Sequence, residues 1–316
     1  MAIKKELWVK YIVSNLFKGA EFLSLCKRAD EYVLQGSLVH IPQAGAKPAV
    51  IKNRSSLPAT IAKRTDTDIV YLLDEFTSNP TLISNAEKYE ESPDKLASVL
   101  DEHVQTIREV IGDEMIYNWL AGFAASGAGS PAAAIAAATV LRTTGSNVAA
   151  HMAGATGTRK LFVKEDLQAA RTLMNKQNVP KEDRYALVSS DMLNQLMQDS
   201  DLKKRDMALE LDMENGVIAR LYGFNILERS YVATYDNAST PVIKAVGAAG
   251  AFSDNDVVLC WQKNSVELAL GSVQVFEELN KPDYYGDVYS ALVRAGGRKT
   301  RRNAEGVVAI VQAHGM

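Results

Sequence analysis

Residues able to do chemistry are few in this chain, and they are scattered. The four histidines, His40, His103, His151 and His314, have no partner at metal-ligand spacing, and H-E-x-x-H is absent, so zinc sites of the usual kinds are not expected. Cys26 and Cys260 are the only cysteines, too few and too far apart for a disulfide framework or a metal cage. They read as reduced, buried thiols. Gly127-Ala128-Gly129-Ser130-Pro131-Ala132 fits G-x-G-x-x-A in letters. A helix rather than a strand precedes it, and no acidic residue lies about twenty positions on. Gly154 to Lys160 resembles a phosphate loop only in composition, because Thr158-Arg159 stands where Lys-Ser/Thr is needed. G-x-S-x-G is also absent. The carboxylates Asp199, Asp201, Asp206, Glu210, Asp212 and Glu214, interspersed with Lys203, Lys204 and Arg205, look like a solvated face rather than paired acids. No catalytic, cofactor-binding or metal residue is assigned, and no enzymatic activity is expected.

The bulk numbers narrow the classes further. At 316 residues the chain can bury a sizeable core as one large or two modest domains. Hydrophobic residues make up 47% and charged ones 23%, an ordinary globular balance. A formal net charge of −3 gives no general pull toward nucleic acid or anionic membrane, so contact with DNA would be local. The one basic cluster, Arg294, Arg298, Lys299, Arg301 and Arg302, reads as a solvated turn, a subunit contact or a face toward nucleic acid. Lys4, Lys5, Glu6 and Lys10 break any apolar signal sequence, so the protein is expected to stay in the cytoplasm.

These residues hang on an unusual frame. Ser92 to Phe123 reads as one helix about 45 Å long, with Leu96, Leu100, Val104, Ile107, Ile111, Met115, Trp119 and Phe123 on one side. Ser92 and Pro93 suit its start. Val99, His103, Val110 and Ile116 widen the stripe beyond a coiled-coil seam, and Asp101, Glu102, Arg108, Glu109, Asp113 and Glu114 exclude a membrane span. Upstream, residues 1 to about 30 form a partly helical arm broken at Gly19, with Trp8, Phe17 and Phe22 available to pack on the body or on a neighbour. Ser37 to Ile41, Ala49 to Ile51 and Asp68 to Asp74 read as strands of a long hairpin whose tip has little apolar content. Such an arm makes sense if it lies on another subunit.

Downstream, Ala132 to Arg142 is expected to be a second helix. The Gly- and Thr-rich run to Lys160 would connect two lobes. The second lobe then alternates. Lys164 to Asn178 is a helix stopped by Val179-Pro180, Tyr185 to Val188 is a buried strand, and Ser189 or Ser190 caps a helix through Met197. Strands are expected at 217–221, 224–227, 242–246, 257–261, 266–276, 288–293 and 307–311. The fold class is α+β, helices packed on sheets in two unequal lobes.

The order of three passages carries a resemblance. Asn178-Val179-Pro180-Lys181-Glu182-Asp183-Arg184-Tyr185-Ala186-Leu187-Val188-Ser189, then Asn215 to Ser230, with Gly154 to Lys160 before the helix, resemble successive passages in major capsid proteins of tailed bacteriophages. The resemblance covers most of the chain. It implies the Hong Kong 97-like coat fold: an N-terminal arm at 1–35, an extended loop at 36–80, a peripheral domain at 81–157 with spine helix 92–123, an axial domain at 158–265, peripheral return strands at 266–305, and a closing strand at 306–316. It implies a structural subunit that assembles as pentamers and hexamers, in the host bacterial cytoplasm, into an icosahedral virion shell around double-stranded DNA contacted non-specifically. Portal, scaffolding and decoration proteins would be partners, the scaffold as a separate protein; no membrane and no cofactor is implied. Expected inter-subunit contacts are Trp8, Phe17, Lys47, Lys52, Arg54, Glu102, Arg108, Glu109, Asp113, Arg298, Arg301 and Arg302. Lys47 or Lys52 could form a covalent cross-link, but no matching acid and asparagine can be assigned. A bacterial nanocompartment shell protein shares this fold and is the alternative, with a nucleotide-binding α/β enzyme behind it.

Overall fold

The computed structural model describes residues 20–33, 38–45, 49–55, 58, 61, 63–84, 95–123, 131–132, 139–198, 211–212, 217–218, 220–237, 239 and 241–315. In chain order the strands and helices are β1 (Lys27–Arg28), β2 (Leu38–Gln43), β3 (Thr67–Leu72), β4 (Asp74–Thr77), β5 (Thr81–Ser84) and α1 (Lys95–Leu120). Short strands follow: β6 (Gly122–Phe123), β7 (Pro131–Ala132), β8 (Val140–Arg142), β9 (Asn147–Ala149) and β10 (Thr158–Lys160). Then come α2 (Lys164–Lys176), β11 (Arg184–Ser189), α3 (Ser190–Met197), β12 (Leu211–Asp212), β13 (Val217–Ile218), β14 (Arg220–Leu221), β15 (Phe224–Arg229) and β16 (Thr234–Tyr235). The chain finishes with β17 (Asn255–Gln262), β18 (Val266–Lys281), β19 (Gly286–Lys299) and β20 (Val307–Val311).

Two sheets organise these elements. One runs β1-β18-β19-β4, with β5 also paired to β19, and is dominated by the long antiparallel ribbon of β18 and β19. The other runs β14-β15-β11-β17-β20-β8, with β16 on β17. Its β17 and β20 are buried on both faces, which explains their unbroken apolar runs. Side chains alternate along each strand. Val257, Leu259, Trp261, Val307, Ala309 and Val311 enter one core, whereas Val258, Cys260, Val308 and Ile310 enter a second core beneath α2 and α3.

Helix α1 fills the first core and joins the two sheets. Its Val104, Ile107, Ile111, Met115 and Trp119 are buried with Leu268 and Val275 of β18, Val293 of β19 and Trp261 of β17. Trp119 and Trp261 lie with ring centroids 6.0 Å apart, Phe22 meets Trp119 edge-on at 6.2 Å, and Tyr185 continues the stack at 5.6 Å from Trp261. Such aromatic pairs add about 0.5–1.5 kcal/mol each beyond the area they bury. Both indoles are satisfied: Trp119 Nε1 donates to Glu267 O and Trp261 Nε1 to Leu25 O.

Four expectations are corrected. The long helix ends at Leu120, because Gly122-Phe123 leave it to pair antiparallel with Pro131-Ala132. The expected helix over 132–142 is not there at its described ends: Pro131-Ala132 is a strand, and Val140–Arg142 pairs in parallel with β20. Backbone pairing on a buried strand overrides alanine's helix propensity. Ala49 to Ile51 forms no strand, and Val50 is 94% exposed. The 242–246 strand reduces to a bridge between Tyr235 and Ile243. In the second lobe the reading holds: α2 and β11 lie within a few residues of expectation, and Ser189 Oγ accepts from Met192 N to cap α3.

Glycine sets the closeness of helix and sheet. A Cβ on Gly297 of β19 would stand 2.5 Å from Glu267 O, 2.9 Å from Met115 Sδ and 3.3 Å from Trp119 Nε1. Gly297→Val therefore forces α1 off the sheet. It is expected to cost about 2 kcal/mol or more of unfolding free energy, measurable by urea denaturation; an unchanged midpoint contradicts the packing described.

Candidate inter-subunit surfaces

The groups most like an active site form a closed polar network. Ser189 Oγ donates to Asp256 Oδ2, His151 Nε2 lies 3.0 Å from the same oxygen, and Gln195 Nε2 lies 3.5 Å from His151 Nδ1. The carboxylate stands between hydroxyl and imidazole, so the histidine cannot take the serine proton as a nucleophile's base must. What the network does is tie the loop after β9 to β11, α3 and β17. Arg159 reinforces it: fully buried, its guanidinium donates to the carbonyls of Thr156, Thr158, Phe252 and Asp254. Gly154 and Gly157 adopt φ of +81° on either side of that turn. The Gly154–Lys160 segment is thus an internal clasp leading into a strand, not a phosphate cradle. Pro131-Ala132 in a strand likewise removes the helix that G-x-G-x-x-A would open. Burial pushes the Cys26 thiol up to about 12 and raises Cys260, so neither is a ready thiolate. Among the described residues no three His, Cys, Asp or Glu side chains gather as a metal site, and no helix is long and apolar enough to cross a membrane.

The surfaces are more telling. Strands β2 and β3 pair from Leu38↔Leu72 to Gln43↔Thr67. Their root is anchored on the subunit itself: Val39, Ile41, Ile69, Tyr71 and Leu73 bury against Ala29 and Ala269, and Gln43 Nε2 donates to Thr300 O at 2.6 Å. At the neck, the Gly45 N–H and the Arg64 guanidinium both bind Asp66 and hold its carboxyl below the usual range. Beyond the neck the segment leaves the body. Lys52 and Arg54 are exposed there, as are the apolar Val50, Ile51 and Ile61, the last at 96%. Lys47 lies outside the described residues.

On α1, Glu102 and Glu109 are exposed and Arg108 is half-buried. Asp113 is committed within the chain, at 2.7 Å from Arg229, whose guanidinium also covers the Phe22 ring. A groove of 390 Å³ runs between this face and the Ser230-Tyr231 turn, lined also by Ala20, Arg108, Glu109, Asp113 and Arg229. Residues 20–33 of the expected arm pack on their own body, with Phe22, Leu23 and Cys26 in the first core and β1 parallel to β18. Trp8 and Phe17 lie outside the described residues.

The C-terminal basic cluster divides. Arg298 is 1% exposed, its Nη1 at 3.5 Å from Asn118 O, because it lies in the stretch of β19 from Ala295 to Lys299 that is buried on both faces; burial lowers its pKa to about 10. It is removed from the surface set, and Lys299 is buried beside it. Arg294 pairs with Glu75 and Arg301 with Glu305, while Arg302 is exposed. One surface was not anticipated. The far end of the β18–β19 ribbon carries a 730 Å³ groove lined by Pro80, Leu82, Phe276, Lys281, Tyr284 and others, with Tyr285 79% exposed beside it. The Tyr284-Tyr285-Gly286 turn was its sequence signal, hidden because the strands around it read as ordinary core.

A long helix clamped between two sheets and an anchored hairpin with an unsupported tip describe a subunit made to tile. Comparison with known proteins agrees. The family model described as phage capsid protein matches residues 89–313. The solved structure of Mycobacterium phage Che8 aligns with a TM-score of 0.59 at 16% identity, covering 92% of this chain and 90% of that one. The capsid of cyanophage P-SCSP1u aligns at 0.61 and 17%, covering 92% and 86%, and that of cyanophage Pam1 at 0.64 and 12%, covering 92% and 89%. No curated protein matches the sequence. The chain belongs to the phage capsid protein family, as a structural major capsid protein of a tailed phage. Its role is structural, in an oligomeric shell of its own copies that forms part of the virion.

The internal clasp yields a pH dependence. Burial lowers the His151 pKa, but the hydrogen bond and charge of Asp256, aided by Asp191 and opposed by Arg159, outweigh burial and leave it raised. Its contribution is then fully present below the ordinary histidine value of about 6.5 and is lost as pH rises through the raised folded value. Urea unfolding of wild type and His151→Gln should show a larger stability gap at about pH 5.5 than at about pH 8.5. A gap independent of pH contradicts the ion pair.

Proposed function

We propose that the subunit forms pentamers and hexamers of a Hong Kong 97-like icosahedral shell, with heterologous contacts in which the hairpin tip of one copy lies across α1 of the next. The observation that carries this reading is the pairing of two unsupported surfaces. Lys52 and Arg54 follow the exposed Val50 and Ile51 at the tip, and Glu102 and Glu109 stand exposed on the helix. Opposite charge sets the register of such a contact, and the apolar side chains supply area to bury. Arg108 borders the landing groove, and Asp113, being paired to Arg229, shapes it rather than offering a free charge. In this reading residues 1–35 include the arm, 36–80 the extended loop, 81–157 the peripheral domain, 158–265 the axial domain, 266–305 the return strands and 306–316 the closing strand. Val140–Arg142 is better grouped with the axial sheet, to which it is paired. Trp8, Phe17, Lys47, Arg301 and Arg302 remain proposed contacts. Assembly would take place in the host cytoplasm with scaffolding, portal and decoration proteins, around double-stranded DNA.

Charge reversal separates assembly from folding. Glu102→Lys/Glu109→Lys is expected to leave the thermal melt within about 1 kcal/mol of wild type, as exposed helix charges do, while reducing shell yield in electron micrographs severalfold. Adding Lys52→Glu/Arg54→Glu to the same chain should restore shells in part. Full assembly of the helix variant, or no rescue by the quadruple variant, contradicts the contact.

A further inference from the structure

The end of the second lobe gathers four cations around a cup in which, among the described residues, no carboxylate takes part. Arg171 comes from α2, Lys181 from the turn after it, Arg184 from the start of β11 and Arg220 from β14, and with Tyr222 and Gly223 they line a cup of 290 Å³. No carboxylate lines it. Arg171, Lys181 and Arg220 are exposed, and among the described residues none of the three side chains has a hydrogen bond or ion pair. By contrast, Arg159, Arg298 and Lys299 are buried, and Arg64, Arg229, Arg294 and Arg301 are each paired with a carboxylate.

The cup is also built rather than accidental. Arg184 is 3% exposed, and its Nε donates to Pro180 O at 2.8 Å while Nη2 donates to Val179 O at 2.8 Å and Asn175 Oδ1 at 3.0 Å. That leaves Nη1 uncommitted on a guanidinium that cannot move. Burial, and after it the charge of Arg171, lowers the Arg184 pKa, so the cations are felt by one another. Tyr222 and Gly223, at φ +50° and +85°, make the tight turn that returns β15 beside β14 and forms the opposite wall. A cup of this size is below the usual range for a base-bearing ligand and suits a phosphate group, which guanidinium forks bind in two-point fashion.

We propose that this cup, on the reading that the shell encloses double-stranded DNA, is a phosphodiester-binding site through which the second lobe grips the packaged duplex. A single carboxylate from a neighbouring subunit would cancel one charge of four. A polyanionic backbone presents successive charges to a fixed Arg184 and three mobile cations around it. Release of counterions then makes the contact salt-dependent and indifferent to base sequence.

The test uses the full chain before assembly and a fluorescein-labelled mixed-sequence duplex, read by anisotropy across a salt series. Arg171→Glu/Lys181→Glu is expected to weaken binding at least tenfold at low salt, and the charge-neutral Arg171→Gln/Lys181→Gln to lower the slope of log K against log salt by about 1–2. Circular dichroism melts of the glutamine variant, whose replaced side chains have no hydrogen-bond or ion-pair partner among the described residues, should match wild type and keep the result interpretable. Inorganic phosphate, compared with chloride at equal ionic strength, should displace the duplex only weakly if several phosphates are held, and strongly if the cup captures one free ion. Unchanged affinity and slope, or strong displacement by free phosphate, overturns the proposal. So does a variant that keeps duplex binding but loses assembly, which assigns the cup to a neighbouring subunit's carboxylate. Micrographs of the same preparations keep the readings apart: wild-type shells with unaltered variant binding refute the cup alone, and duplex binding lost in the variant with no wild-type shells refutes the shell reading alone.

Discussion

The close crossing of α1 over β19 is the constraint on which the rest of the molecule depends. Because Gly297 has no side chain, Met115 and Trp119 come within contact of the sheet backbone, and the Trp119 indole can donate to Glu267 O. The same helix face reaches Trp261 and the second sheet, so two sheets that share no backbone ladder are held by one apolar seam. The hairpin root and residues 20–33 are then added from outside, through Leu25, Tyr71 and Glu267. A subunit built this way is rigid along its length and exposes its projections, which is what a tile in a curved shell requires.

The polar interior follows the same logic. Arg159, His151, Asp256 and Ser189 meet where loops from distant parts of the chain cross, and each is held by carbonyls or by its neighbours, with only Arg159 Nε among their atoms left buried without an acceptor. Charged groups so placed tend to specify one arrangement of the loops rather than to add much net stability. Their geometry gives the second lobe a fixed top without giving it a nucleophile or a metal centre.

Legibility from sequence tracked how local the determining physics was. The helix from Val104 to Trp119, the buried β11, the Ser189 cap and the doubly buried β17 and β20 all carried their own periodicity, caps or apolar runs. Val140–Arg142 did not, because only the partner strand at Ala309–Val311 makes it a strand. The inward turn of Arg298 required knowing its register against Glu267, and the Asp113–Arg229 pair required knowing that residues far apart in sequence meet. The cationic cup was illegible for the same reason: Arg171, Lys181, Arg184 and Arg220 come from four segments that only the fold brings together.

The central claim is that the anchored hairpin, unsupported at its tip, completes itself on a neighbouring copy. Electron cryo-microscopy of shells assembled from the full chain tests this most directly. The account predicts density for residues 49–55 of one subunit lying across α1 of the next, with Lys52 and Arg54 near Glu102 and Glu109. A tip folded back on its own subunit, or standing free of any neighbour in the closed shell, would contradict it.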